Sequence, residues 1–291
     1  MANLDYATDK SIELPAEFAS EIIQKTQESS AIMQLARKVN LPGTGVDVPV
    51  IMSDPEASWV GSETDQRSVS TGKLETKQLR PYILSVIVPF SNKFRRDAAG
   101  LYSAIVNRLP GALSKKFDET VMGSVTKPGD KFDNFSNAVK QVLTKEDAYN
   151  TLVAADADVS AHDGVVNGYV LSPKARSILL TATDNNKRPL FINNVSDGAI
   201  PMILGSQVIQ SRGAYSKGDS ESIVGVVGDW TKAVYGTVEG VNVTLSDQAT
   251  LVDGETTINL FQQGMFAVKA EIELGFRADT SVFNTLAITN A

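Results

Sequence analysis

Between Gly61 and Arg80 the only aliphatic residues are Val69, Leu74 and Leu79; most of the rest are Ser, Thr, Gln, Asp, Glu, Lys and Arg. A stretch this polar cannot bury enough apolar surface to hold itself onto a core. Yet β-forming runs lie on both sides, GVDVPVIM at 45–52 and PYILSVIVPF at 81–90. A strand out, a polar span with Gly61 and Gly72, and a strand back predict a long hairpin. With about ten residues per arm at ~3.3 Å each, its tip stands about 30 Å from the body. A two-stranded ribbon is marginal in water on its own. The fold must therefore tolerate a projection, and some other surface must receive it.

The flanking segments are helical. AEFASEIIQKTQESSAIMQLARKV, after Leu14-Pro15, places Phe18, Ile22, Ile32, Leu35 and Val39 near one stripe, softly broken around 27–30 and ended by Pro42-Gly43. This predicts one or two helices forming an arm whose apolar stripe needs a partner. From Ser91, a candidate N-cap, Phe94, Ala98, Leu101, Ile105, Leu109, Leu113 and Phe117 recur every three or four residues. Pro110-Gly111 leaves the phase intact, so a bend is expected and not a break, with Gly123 as the stop.

Another helix is expected over roughly 135–155. A compact alternation follows: strand 168–172, helix 173–183, strand MILGSQVIQS and strand SIVGVVGDW. Near the carboxyl end, Val268, Ala270, Ile272, Leu274 and Phe276 alternate with Lys269, Glu271, Glu273 and Arg277, the pattern of a long half-buried strand.

Chemistry-bearing constellations are sparse. The 291 residues include no cysteine and one histidine, His162. Thiol catalysis, disulfides and zinc sites with several N or S ligands are thereby excluded. No G-x-S-x-G elbow accompanies His162, which reads as a surface or loop residue. Asp156, Asp158 and Asp163 suggest a calcium loop. Ala161 stands where that loop needs glycine, however, and Asn167 where it needs glutamate. Gly72-Lys73 fails as a phosphate loop because Arg67 and Leu74 occupy its defining positions. A net charge of −7 provides no basic footprint for nucleic acid across the whole chain. The clusters Arg37-Lys38, Lys93 with Arg95-Arg96, and Lys115-Lys116 read as solvated faces. No apolar run approaches the ~18 residues of a membrane span, and the first residues lack the pattern of a secretory signal.

Four phrases, taken in order, closely resemble the major capsid protein family of tailed bacteriophages, whose fold is shared with encapsulins and herpesvirus capsid floors. They are LPAEFASEIIQKTQESSAIMQLARKVNLP; VPVIMSDPEASWVGSE leading to LSVIVPFSNKFRRDAAGLYSAIVNRLPGALSKKFDETVMG; GYVLSPKARSILLTATDNNKRPLF with ILGSQVIQS; and VVGDWTKAVYG with GFRADTSVFNTL. The chain departs from many relatives at Asn186-Lys187, where glycine commonly precedes Arg-Pro. The resemblance implies an α+β fold. It would comprise an N-terminal arm (1–45), a peripheral domain (46–52, 82–144 and 254–291) with a spine helix at about 92–122, an extended β-hairpin loop (53–81) and an inserted axial α/β domain (145–253).

The implied function is non-enzymatic. Copies would assemble through hexamers and pentamers into an icosahedral head around packaged double-stranded DNA, formed in the host bacterial cytoplasm. No cofactor, metal or membrane is implied. Partners would be other copies of the chain, weakly and non-specifically held DNA, and separate scaffolding, portal and decoration proteins. Separate scaffolding is suggested by the lack of a long charged leader. Glu63, Asp65, Arg67, Lys73, Glu75, Lys77 and Arg80 are the candidate subunit-interface charges. Trp59 at the hairpin root is a further interface candidate, as a hinge anchor or as core. Lys73 and Lys77 lie where some relatives cross-link, but they read as solvated lysines. Excising 61–80 is expected to leave a folded subunit that builds no stable shell. The alternatives are an encapsulin-type compartment and, more remotely, a calcium-dependent hydrolase or binding protein.

Overall fold

The computed structural model describes residues 16–51, 59–60, 67, 74–93, 98–183, 188–191, 202–254 and 256–290. Helices α1 (Ala16–Ser29) and α2 (Ala31–Leu35) lead into the short strand β1 (Arg37–Asn40). Ser30 separates the helices, and its hydroxyl caps α2 by accepting from the Met33 N–H. Ile22 and Ile32 are fully buried. The amino-terminal stripe thus finds its partner within the same chain, where α1 lies against the long helix α3 (Ala98–Val121) and against β10 (Ala233–Ser246). Phe18 lies outside the residues whose side chains are described.

The hairpin consists of β2 (Val46–Ile51) and β3 (Leu74–Leu79), paired from Val46 with Leu79 to Ile51 with Leu74. This corrects the reading that the outer strand returns through PYILSVIVPF. That run is β4 (Tyr82–Ser91), and it pairs along its whole length with β13 (Met265–Ala278). Its β-branched residues are better satisfied by a sheet with a buried face than by a projecting ribbon. The return strand is instead the polar LETKQL, whose hydrogen bonds come from β2.

Helix α3 runs continuously through Pro110. It is described from Ala98 onward; residues 94–97, which fall within the expected spine helix, lie outside the described residues. Gly123 ends it at φ +81. There the Ser124 N–H bonds the Glu119 carbonyl and the Gly123 N–H that of Thr120, a Schellman closure. A Cβ at Gly123 would stand 2.8 Å from that of Ser136.

Two sheets organise the rest. One has the order β1-β10-β13-β4; the other is β5 (Val139–Val142), β14 (Phe283–Thr289), β9 (Glu221–Gly228), β6 (Gly168–Leu171), β8 (Ser206–Gln210) and β7 (Met202–Ile203). A small hairpin, β11 (Thr250–Asp253) with β12 (Thr256–Asn259), stands apart. The helix expected over 135–155 is instead β5 followed by α4 (Ala148–Ala161). Val139–Val142 pairs in parallel with β14, and the Thr144 hydroxyl accepts from the Asp147 N–H just before α4 starts. MILGSQVIQS is likewise not one strand but a tight hairpin turning at Leu204 and Gly205, φ 48 and 82, the geometry of a primed turn.

Sheet membership also departs from the expected domain boundaries. Strand β10, within 145–253, joins the four-stranded sheet, while β5 and β14, from the stretches read as peripheral, complete the six-stranded one. Strand β1, from the expected arm, pairs in parallel with β10.

The main core joins α3 to the four-stranded sheet through aromatic edge-to-face contacts among Phe117, Phe132, Phe135, Phe276 and Trp230. A second core lies between the six-stranded sheet and helices α4 and α5 (Pro173–Thr181), filled by Leu152, Tyr169, Leu171, Leu179, Val227 and Leu286. Strand β9 contributes to both cores, Val226 to the first and Val224 to the second. Its run of buried apolar residues follows from being covered on both faces.

Candidate functional site

Besides the passage through α3, the chain crosses from sheet to sheet at two 3-10 turns, each capped by aspartate. Asp229 accepts from the Thr231 N–H at 3.0 Å between β9 and β10; Asp279 accepts from the Ser281 N–H at 3.1 Å between β13 and β14. The crossovers also bond each other, Asp229 N to Val282 O and Asp279 N to Lys232 O, both 3.2 Å. Gly228 is required here because an added Cβ would sit 2.4 Å from a Phe283 ring carbon. The Trp230 indole N–H donates to the Gly168 carbonyl at 3.0 Å. Gly-Asp-Trp and Arg-x-Asp, which looked like isolated phrases, together lock the two sheets.

Arg277, from the second phrase, clamps the root of the hairpin. Its guanidinium, 7 % exposed, reaches Asp133 Oδ1 at 2.8 Å and the Gln78 carbonyl on β3 at 2.9 Å. Lys77 joins this cluster, with Nζ 3.5 Å from Asp133 Oδ2 and 3.0 Å from the Ala278 carbonyl. Lys77, expected among the charges that contact a neighbour, holds β3 to its own subunit. Gly275 allows the crossing, since a Cβ there would meet the Arg80 carbonyl at 2.5 Å.

Beyond this root, Trp59 is fully exposed, at 103 % of its reference area. It is neither core nor an anchor within the subunit, because either role would bury the indole. Arg67 and Arg80 are exposed, and Arg80 Nε donates to Gln78 Oε1 at 3.0 Å. Glu63, Asp65 and Lys73 lie outside the described residues, as does the side chain of Glu75.

A second junction was missed altogether. Asp118 on α3 is 1 % exposed and accepts from the Ser30 hydroxyl at 2.6 Å, the Ser211 hydroxyl at 2.6 Å and the Ala31 N–H at 3.2 Å. It fastens the amino-terminal helices and the segment after β8 to the spine of the molecule. Burial holds its carboxyl above the ordinary carboxylate range, with the serine hydroxyls and backbone N–H groups opposing. The folded protein therefore binds this proton more tightly than the unfolded chain does. Stability from this group is greatest at low pH and falls as pH rises from the ordinary carboxylate value through the raised one. Asp118→Asn is expected to flatten that part of the melting-temperature profile, as thermal unfolding across acid pH would register. An unchanged slope would assign it to other groups.

His162 follows α4, exposed, with Nδ1 2.9 Å from the Asp158 carbonyl. Among the described residues no cluster of acids or histidine suits a metal ion, and no helix is long and apolar enough to cross a membrane.

The sequence profile of the phage capsid family matches residues 12–286. The chain belongs to the phage capsid family. It is 25% identical to the probable major capsid protein gp17 of Mycobacterium phage D29, across 95% of this chain and 90% of that one. It is 24% identical to the major capsid protein of Staphylococcus phage 80alpha, across 93% and 83%. Solved structures from Gordonia phage Cozz (TM-score 0.71, 20% identity, 90% and 87% covered) and Mycobacterium phage Cain (0.69, 19%, 89% and 90%) share the fold. The architecture is thus the α+β phage capsid fold, and the role is that of a structural capsid protein, a component of the virion.

Proposed function

We propose that copies of this chain assemble through hexamers and pentamers into an icosahedral head enclosing double-stranded DNA. The observation that carries this reading is the asymmetry of the hairpin: a root bolted by Arg277 and Asp133, and an indole at Trp59 with no cover in its own subunit. A hairpin with a fastened root and an uncovered indole is built to meet another molecule. Glu63, Asp65, Arg67, Lys73, Glu75 and Arg80 set partner choice and register along that arm. Many such contacts acting together need only modest individual strength to close a shell.

In this reading α3 is the spine, the four-stranded sheet the peripheral domain, and the six-stranded sheet with α4 and α5 the axial domain around each ring. The subunit is not an enzyme. Assembly takes place in the bacterial cytoplasm with separate scaffolding, portal and decoration proteins. The charge of −7 keeps contact with packaged DNA weak and non-specific. Nuclease treatment of purified particles tests the contents: protected double-stranded DNA is expected. Particles holding a cargo enzyme and no DNA would overturn the head in favour of an encapsulin-type compartment.

A further inference from the structure

The segment between β8 and β9 carries Tyr215 into a polar cluster at the edge of the second core. Its ring packs against that core, and the residue stays partly exposed. The backbone is fixed on either side. The Ser124 hydroxyl donates to the Tyr215 carbonyl at 2.7 Å, and Ser216 exchanges bonds of 2.9 and 2.8 Å with Ile223 on β9. Lys174, in the first turn of α5, sets its ammonium over the ring, 4.0 Å from the centroid, a cation–π geometry. The Tyr215 hydroxyl donates to Ser222 Oγ at 3.4 Å, and the fully buried Ser222 donates in turn to Asn290 Oδ1 at 2.6 Å. Asn290 is itself held by bonds from Nδ2 to the Gly218 and Asp219 carbonyls, at 2.7 and 3.2 Å.

This arrangement suits a phenolate better than a phenol. A phenol needs an acceptor, and Ser222 at 3.4 Å is a distant one. A phenolate needs donors and a counter-charge. Lys174 supplies both, and the Ser222 hydroxyl can turn from Asn290 to donate as well. Hydrogen bonding to Lys174 and then to Ser222 holds the phenol below the ordinary tyrosine range; burial opposes, and the charges of Lys174 and Lys217 add to the lowering. Other tyrosines differ. Tyr169 and Tyr235 are buried, and burial pushes both phenols up, that of Tyr169 to about 12 with Asp156 adding. Tyr149 is 51% exposed and serves as an accessible comparison in the same chain.

We propose that Tyr215 is a covalent modification site, a phenol nucleophile that takes acyl- or sulfonyl-type donors bearing a negative charge. The cations beside it account for both halves of that statement. They favour the phenolate, which is the form that attacks, and they attract an anionic donor. In the step itself the phenol proton passes to water and the phenolate oxygen bonds to the electrophilic carbon or sulfur. The leaving group departs with its electron pair. Lys174 keeps its proton throughout, so it is a positioning residue and the Tyr215 oxygen is the reacting atom. The absence of cysteine removes the usual competitor for such donors.

Treating the purified chain with para-carboxybenzenesulfonyl fluoride, an anionic donor whose leaving group is fluoride, tests this. Peptide mapping by mass spectrometry is expected to find the adduct at Tyr215, formed several-fold faster than at the more exposed Tyr149. Tyr215→Phe should abolish that adduct and leave the rate at Tyr149 unchanged. The rate at Tyr215 should rise with pH through a midpoint below that of N-acetyltyrosinamide, and Lys174→Met should move the midpoint up. Uncharged benzenesulfonyl fluoride should show a weaker preference for Tyr215 over Tyr149; an equal preference would overturn the requirement for negative charge. Adducts on Lys174 or Lys217 in place of Tyr215 would overturn the proposal. So would equal rates at Tyr215 and Tyr149, or a midpoint no lower than that of the free amide. Should Lys174→Met fail to fold, the pH profile of the unaltered chain decides.

Discussion

A chain in which residues 52–73 are replaced by Asn-Gly is expected to fold normally and to stay unassembled. Ile51 and Leu74 are paired directly, so a two-residue primed turn can close the ribbon between them. The replacement keeps Leu79, fully buried against Leu41 and Val234, and keeps the Gln78 carbonyl that Arg277 uses. Excising 61–80, the change that sequence alone suggests, would remove both. Losing a buried leucine costs about 2–5 kcal/mol, and the clamp would lose an acceptor as well, so that version is expected to compromise the subunit. For the shorter excision the melting temperature should stay within about 3 °C of the parent, a change of about 1 kcal/mol. Sedimentation velocity should show only small species where the parent builds particles. Particles from the excised chain would remove the hairpin from the assembly mechanism.

The largest stability effect is expected from Asp133→Ala. Arg277 is nearly buried, and Asp133, itself partly exposed, is its carboxylate partner at 2.8 Å. Removing the acid leaves a desolvated cation beside the ammonium of Lys77. Truncating one partner of a buried pair costs about 3–5 kcal/mol. Solvent access to Asp133 places this case toward the lower end, a fall in melting temperature on the order of 10 °C. Removing both partners, as Arg277→Met with Asp133→Ala, should cost less than the sum of the single changes. Additive losses in thermal unfolding would mean that the two side chains act independently.

The parts of the fold legible in sequence are those whose pattern is set locally. Strand 265–278 alternates because one face of it is core, and Ser172-Pro173 announces α5 through a cap and a first-turn proline. Strand β3 was illegible because LETKQL owes its conformation to β2 and to the Arg277 clamp; of Thr76 to Leu79 only Leu79 is buried. Strand β10 escaped notice for a related reason: its partners β1 and β13 are remote in the chain, and Gly236 and Gly240 interrupt its pattern. Sheet membership does not follow contiguous stretches of the chain, because strands change sheet at Asp229 and Asp279. These turns look like ordinary loops until their mutual hydrogen bonds are seen.

Legibility of the candidate site followed the same division. A polar arm with an aromatic residue at its edge suggested a projection, and Trp59 is exposed in the subunit. The clamp was harder to see. Gly275, two residues before Arg277, was the available signal, because glycine inside a strand marks close approach of another backbone. Asp118 left no such mark. Its burial depends on Ser30 and Ser211, each more than eighty residues away.

Assembly is expected to lay residues 52–73 of one subunit on the next. An electron cryo-microscopy map of particles assembled from the unaltered chain tests it most directly. The expected result is continuous density for the hairpin leaving its own sheet and crossing an adjacent subunit. A map in which the hairpin folds back over its own four-stranded sheet, with neighbours joined through other surfaces, would contradict it.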